Sequence, residues 1–328
     1  MPGAPQGLDV SASLYRTVRL IRRFEERAIE LVRDGLITGG IHPYIGEEAI
    51  AAGVCAALRP DDVITSTHRG HGHVLAKGAE PARMMAELAG RETGLNHGRG
   101  GSMHAADVGA GIYGANAIVG ASAAIAAGAA WSHRRAGHDR VAVSFFGDGA
   151  VNQGVFLEAL NLAALHKLPL LLVCENNQFA TTMRTEDSTA GTITGRAAAF
   201  GIPAQVIDGM DAEVVLGAAS GAVARARAGE GPAFLECLTY RFDAHHTWEH
   251  AVRPRYRTPE EVAAGSARDP MQIQGARVPE AERAKIDAEI EALLDEACRF
   301  AAQSAEPDPS AALDYLYAGA LRGRAGAA

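Results

Sequence analysis

The stretch FFGDGAVNQGVFLEALNLAALHKLPLLLVCENNQFATT, Phe145 to Thr182, decides how the rest of the chain is read. Val141-Ala142-Val143-Ser144-Phe145-Phe146 is a short apolar run of the kind a buried parallel strand needs, and it stops at Gly147-Asp148-Gly149. Two glycines let the backbone turn tightly and leave the Asp148 carboxylate at the carboxyl end of a strand. From Asn152 to His166, Val155, Leu157, Leu160, Leu162, Ala163 and Leu165 recur at helical spacing, which predicts a crossover helix. Lys167-Leu168-Pro169 ends it, and Leu170 to Cys174 is a second apolar strand closed by Glu175-Asn176-Asn177.

A right-handed strand-helix-strand unit lays its strands parallel, so both polar turns leave the same sheet edge. Asp148 and Asn177 are expected to face each other across about thirty residues of chain, a normal length for such a unit. One carboxylate, one amide oxygen and a nearby backbone carbonyl are too few to cage calcium but suit Mg²⁺ that keeps phosphate oxygens and water as its other ligands. Taken alone, Gly-Asp-Gly or Asn-Asn is an ordinary turn. A strand before each, with a helix of the right length between, makes the pair specific and predicts a metal-diphosphate site.

GDGAVNQG followed by ENN resembles the thiamine diphosphate signature of the α subunits of two-chain 2-oxo acid and acetoin dehydrogenases. The resemblance implies that Asp148, Asn177 and the backbone oxygen of Phe179 bind Mg²⁺, with Gly147, Gly149 and Ala150 against the cofactor. It covers nearly the whole chain.

With 328 residues and 48% hydrophobic content the chain can bury a large core. A net charge of -8 argues against a nucleic-acid partner. Cys55, Cys174, Cys237 and Cys298 are scattered without metal spacing and read as reduced thiols of a cytoplasmic protein. No basic segment followed by an apolar one marks a signal peptide in MPGAPQGLDVSAS, and Ala117 to Trp131 is too short to span a bilayer. No membrane association is expected.

Residues 9–34 read as an amphipathic helix whose arginines form a solvated face with internal pairs. His42, in the turn-rich loop Gly39 to Glu48, matches a histidine that lines the active-site channel in relatives. His68-Arg69-Gly70-His71-Gly72-His73 has no fourth zinc ligand at suitable spacing, and its arginine would repel a cation. A phosphate site suits it better, with Arg69 as a planar donor fork and a helix starting immediately after. The resemblance places Arg69 on the cofactor phosphates and His71 near the reacting carbon. His68 stands where relatives often carry tyrosine, and His73 is read as structural. The glycine-rich stretch from Thr93 to Asn116 is long enough to point to function. After it, the resemblance puts the backbone around Ala117 and Val119 against the aminopyrimidine ring.

Beyond Asn177 the alternation of helix and strand continues to Leu238, giving a doubly wound, mainly parallel α/β sheet flanked by helices, read as a single domain over residues 1–328. Arg241 to Arg257 reads as a surface loop, within an active-site loop of about 240–275, and His245, His246 and His250 are weighed there as a metal cluster. The resemblance instead sets His245 beside the cofactor. His246 replaces a regulatory serine of animal relatives, which excludes phosphorylation there. A helical segment is expected over 279–318.

The implied function is decarboxylation of a 2-oxo acid, or cleavage of acetoin, with transfer of the fragment to lipoamide. His71, His245 and His42 are the candidates for proton transfer or substrate orientation. Implied partners are a β subunit in an α₂β₂ heterotetramer and a lipoyl acyltransferase core. STHRGHGH leans toward the acetoin branch. A split transketolase, an acyloin-forming carboligase and a catalytically silent nucleotide-binding or scaffolding subunit are the other readings.

Overall fold

A computed structural model describes residues 9–252 and 256–313. The strands are β1 (Val63–Thr65), β2 (Ala142–Gly147), β3 (Leu170–Asn176), the short hairpin pair β4 (Phe179–Ala180) and β5 (Met183–Arg184), β6 (Ala204–Asp208) and β7 (Ala233–Leu238). Five of them form one sheet in the order β1-β2-β3-β7-β6, and every neighbouring pair is parallel. The doubly wound α/β expectation is met, with both sheet faces covered.

Strand alternation explains the two layers. Val143, Phe145, Leu171, Val173, Leu235 and Cys237 point into one core, while Ala142, Phe146, Leu170, Leu172, Cys174 and Phe234 point into the other. The first is covered mainly by α1 (Val10–Arg33), α2 (Glu48–Ala56), α3 (His71–Lys77) and α4 (Pro81–Leu88). The second is covered by the small-residue helix α5 (Ala121–Arg135) and by α6 (Gly154–Leu165). Beyond them come α7 (Thr185–Ser188), α8 (Ile193–Ala199), α9 (Ala212–Arg227), α10 (Glu249–Val252), α11 (Pro259–Ser266), α12 (Pro270–Gly275) and α13 (Glu280–Gln303). Helix α9 joins the first core layer and α8 the second, and α13 packs on α1 and α4. Asp9 caps α1 by accepting from the Ala12 N–H, and Asp211 caps α9.

Several expectations need correction. The crossover helix starts at Gly154, because Asp148–Asn152 first makes a 3₁₀ turn. The arginines of α1 pair largely with another helix: Arg16 with Glu289, Arg19 with Asp287, Arg23 with Glu291 and Arg27 with Asp295, all on α13. The loop after β7 is no simple surface excursion, since Arg241, Thr247 and Glu249 are buried and α10, α11 and α12 interrupt it. Residues 253–255 of that loop and 314–318 of the expected closing helix lie outside the described residues. Among the described residues, no helix is long and apolar enough to cross a membrane.

Candidate functional site

The register of the sheet places the polar turns. Gly147 pairs with Glu175 and Asn176 with Leu238, so Asp148, Asn177 and Arg241 all leave the sheet at its carboxyl edge. They line one cavity together with Thr67, His68 and Arg69 after β1, Phe179 after β3 and His245 after β7.

Asp148 is buried, and its Oδ2 accepts from the Thr185 hydroxyl. Burial pushes its carboxyl up, against that hydrogen bond, and it has no salt bridge among the described residues. Such a carboxylate gains from a cation. The two asparagines divide their work. Asn176 donates to Glu236 at 2.8 Å, whereas Asn177 donates from Nδ2 to Glu47 Oε1 at 2.9 Å and accepts from Phe179 N–H at 3.1 Å. Gln178 between them at φ 71°, and Thr181 in the β4–β5 turn at φ 58°, lie in the left-handed region, at a cost of about 1–2 kcal/mol each.

Two buried guanidiniums face the same space. Arg69 donates from Nη1 to the Pro43 carbonyl at 2.6 Å and from Nη2 to the His245 carbonyl at 3.2 Å. Burial, then Arg241, draws it down to about 10 against the pull of Glu47. Arg241 has only neutral partners among the described residues, including the Thr181 carbonyl at 3.1 Å and the Tyr256 hydroxyl at 2.8 Å. Two guanidiniums facing one cavity, Arg69 with Glu47 near its Nε and Arg241 with no ion pair among the described residues, suit an anionic ligand such as a diphosphate. Glu47 lies 3.7 Å from Arg69 Nε, and burial with Glu175 raises its carboxyl to about 7.

His42, His68 and His245 come together from three parts of the chain, with ring nitrogens within 4.8 Å of one another. Neither local run of histidines revealed this grouping. Burial is the first cause that lowers each of the three to about 2, and Arg69 adds to it. Zinc is disfavoured, because Arg69 Nη2 lies 3.2 Å and Arg241 Nη1 3.4 Å from His245 Nδ1. The neutral imidazoles are hydrogen-bonding groups beside the two guanidiniums.

Other expected residues are placed as follows. Gly147, Gly149, Ala150 and Val119 line the cavity; Ala117 does not, although its neighbours Asn116 and Ile118 do. His42 lies behind His68 and His245, with ring centroids 4.8 and 5.1 Å away. His71 is not brought to the cavity. Helix α3 begins at His71 itself, turning the imidazole to the Glu25 carboxylate at 3.0 Å and to Ser102 Oγ at 2.9 Å. His73 is buried between Ser66, Tyr44 and Glu175. Glu47, Arg241 and Glu175 were not singled out from the sequence, although the last two occupy the strand-end positions that marked Asp148 and Asn177.

The family model described as "Dehydrogenase E1 component" matches residues 16–310. A pyruvate dehydrogenase E1 component subunit alpha of Zymomonas mobilis is 44% identical over 94% of this chain and 88% of its own length. The subunit alpha of an acetoin:2,6-dichlorophenolindophenol oxidoreductase of Cupriavidus necator is 40% identical over 95% of this chain and 96% of its own. Among solved structures, a transketolase from Campylobacter jejuni superposes with a TM-score of 0.57 at 17% identity, over 92% of this chain and 49% of that one. That last likeness concerns the fold alone.

Proposed function

The chain belongs to the dehydrogenase E1 component family, and from that premise we propose that it is the α subunit of a thiamine diphosphate-dependent enzyme that cleaves a 2-oxo acid or acetoin. The observation that carries this reading is the meeting of buried Asp148 and Asn177 with buried Arg69 and Arg241 around one cavity. In this reading Asp148, Asn177 and the Phe179 carbonyl hold Mg²⁺, and the two guanidiniums grip the diphosphate. Thiamine diphosphate, when bound, supplies a nucleophilic thiazolium carbon and a ring that takes up the electron pair released by carbon–carbon cleavage.

His68 is neutral and offers one N–H donor and one lone pair, whereas the His245 Nδ1 lone pair faces the Arg69 and Arg241 guanidiniums, which leaves its Nε2–H for substrate. His42 backs them. His71 serves as a buried tie between α1, through Glu25, and the glycine-rich loop, through Ser102. The backbone near Val119 is assigned to the aminopyrimidine, and the glutamate that activates that ring comes from a β chain. Exposed Ile125, Trp131, Leu162 and Leu165 on α5 and α6 support a covered face in the assembly. An α₂β₂ complex in the cytoplasm, passing its product to a lipoyl acyltransferase, completes the proposal.

The test is reconstitution. Purified chain alone is expected to be inactive, and chain plus β subunit to turn over with pyruvate, a branched 2-oxo acid or acetoin when Mg²⁺ and thiamine diphosphate are present. Product analysis identifies which substrate. Appreciable turnover by the isolated chain, or none by the reconstituted complex with any of the three, contradicts the reading.

A further inference from the structure

We propose that Glu47 is a positioning residue for the metal and diphosphate site, fixing the direction of the Asn177 amide and tying it to Arg69; this rests on the reading that the cavity takes thiamine diphosphate with Mg²⁺. With the Glu47 carboxyl ionised, the Asn177 side chain sits between two one-way partners. The Phe179 N–H can only donate, and it lies 3.1 Å from Oδ1. Glu47 Oε1 accepts from Nδ2 at 2.9 Å. Turning the amide over would set donor against donor and lone pair against lone pair, so one orientation survives. Its oxygen keeps a second lone pair for a hard cation, and its nitrogen is held away from one.

The same Glu47 oxygen lies 3.7 Å from Arg69 Nε, so one carboxylate links the amide on the metal side to the guanidinium on the phosphate side. Its place is built into the backbone. Gly46 precedes it at φ +103°, and a Cβ there would meet the Tyr240 carbonyl at 2.2 Å. Glu47 itself is 1% exposed. A leucine at this position would leave Nδ2 without an acceptor and Arg69 without its nearest carboxylate. A glutamine could still accept from Asn177. Changing Asn177 to aspartate inverts the situation, because two carboxylates would then meet at hydrogen-bonding distance.

The chain assembled with its β subunit is titrated with Mg²⁺ at saturating thiamine diphosphate, and binding is read calorimetrically without turnover. Glu47→Leu is expected to weaken Mg²⁺ by roughly 10–100-fold, the cost of losing the group that orients a metal ligand. Glu47→Gln should recover most of that loss while remaining weaker than wild type. Placed on Asn177→Asp, Glu47→Gln should tighten Mg²⁺ binding, the reverse of its effect on wild type. A purely structural glutamate would not reverse sign. Equal Mg²⁺ affinity in wild type and both Glu47 variants, or a Glu47→Gln effect of the same sign in both backgrounds, overturns the role while leaving the cofactor reading intact. A wild-type complex with no Mg²⁺-dependent binding of thiamine diphosphate overturns both.

Discussion

Arg69 places Nη2 3.2 Å from Nδ1 of His245, a residue 176 positions away in the chain. The contact joins the loop after β1 to the loop after β7 directly over the cavity. Two further donors of the same guanidinium reach the carbonyls of Pro43 and His245.

A lysine keeps the charge of Arg69 but cannot serve these divergent acceptors and a diphosphate together. Arg69→Lys is expected to raise the thiamine diphosphate dissociation constant at least about tenfold, since one hydrogen bond to a charged group is worth about 1.5–3 kcal/mol. Calorimetry on the assembled complex measures it. An unchanged constant would remove Arg69 from the phosphate site.

The histidine group sets a pH dependence. Burial holds folded His42, His68 and His245 down at about 2, whereas unfolded imidazoles titrate near 6.5. Above the unfolded value neither state is protonated, and no pH dependence arises from them. Below it the unfolded chain binds protons that the folded chain refuses, so stability is lost as pH falls. Urea unfolding of the cofactor-free protein at a series of pH values should show this acid limb. In His42→Gln its slope should drop by up to about 1.4 kcal/mol per pH unit, one proton's worth. An unchanged slope would mean that His42 is protonated in the folded state as well.

Glu87 organises the glycine-rich loop. Fully buried at the end of α4, it accepts from the backbone N–H groups of Asn96 at 2.7 Å, Gly98 at 3.0 Å, Gly100 at 2.6 Å and Gly101 at 3.1 Å. Glu87→Gln turns one acceptor oxygen into a donor facing two donors. A loss of about 2–4 kcal/mol in denaturant unfolding is expected, from lost charge-assisted bonds and unpaired buried N–H groups. A change below about 0.5 kcal/mol, the size of an ordinary surface substitution, would contradict this role.

The apolar surface of α5 and α6 bears on assembly. Leu165 is 70% and Leu162 47% exposed, on a helix whose other face is core. Leu162→Asp is expected to leave the isolated chain folded, by circular dichroism, and to weaken its complex with the β subunit in sedimentation velocity. Wild-type assembly by this variant would show that the face stays open to solvent.

Much of this was legible along the chain. The β2-α6-β3 unit could be read because its strands are apolar runs and its helix is periodic, and local pattern alone places Asp148 and Asn177 at one edge. What escaped is defined by long-range contact. Glu47 acquires its place from Asn177, 130 residues on, and nothing nearby separates it from Glu48, which turns instead to Arg22. The place of His71 away from the cavity was not legible, because α3 begins on it and its partner Glu25 lies 46 residues upstream. Arg241 was assigned to a surface loop, since charge-rich, aperiodic sequence reads the same whether it lies on the surface or folds back over a cavity.

The clamp formed by Asp148 and Asn177 is tested most directly by calorimetric titration of thiamine diphosphate into the assembled complex, with Mg²⁺ and with a chelator. The wild type should bind only with Mg²⁺, and Asp148→Ala, folded and assembled, should lose binding under both conditions. Wild-type affinity in Asp148→Ala, or binding indifferent to Mg²⁺, would contradict the account.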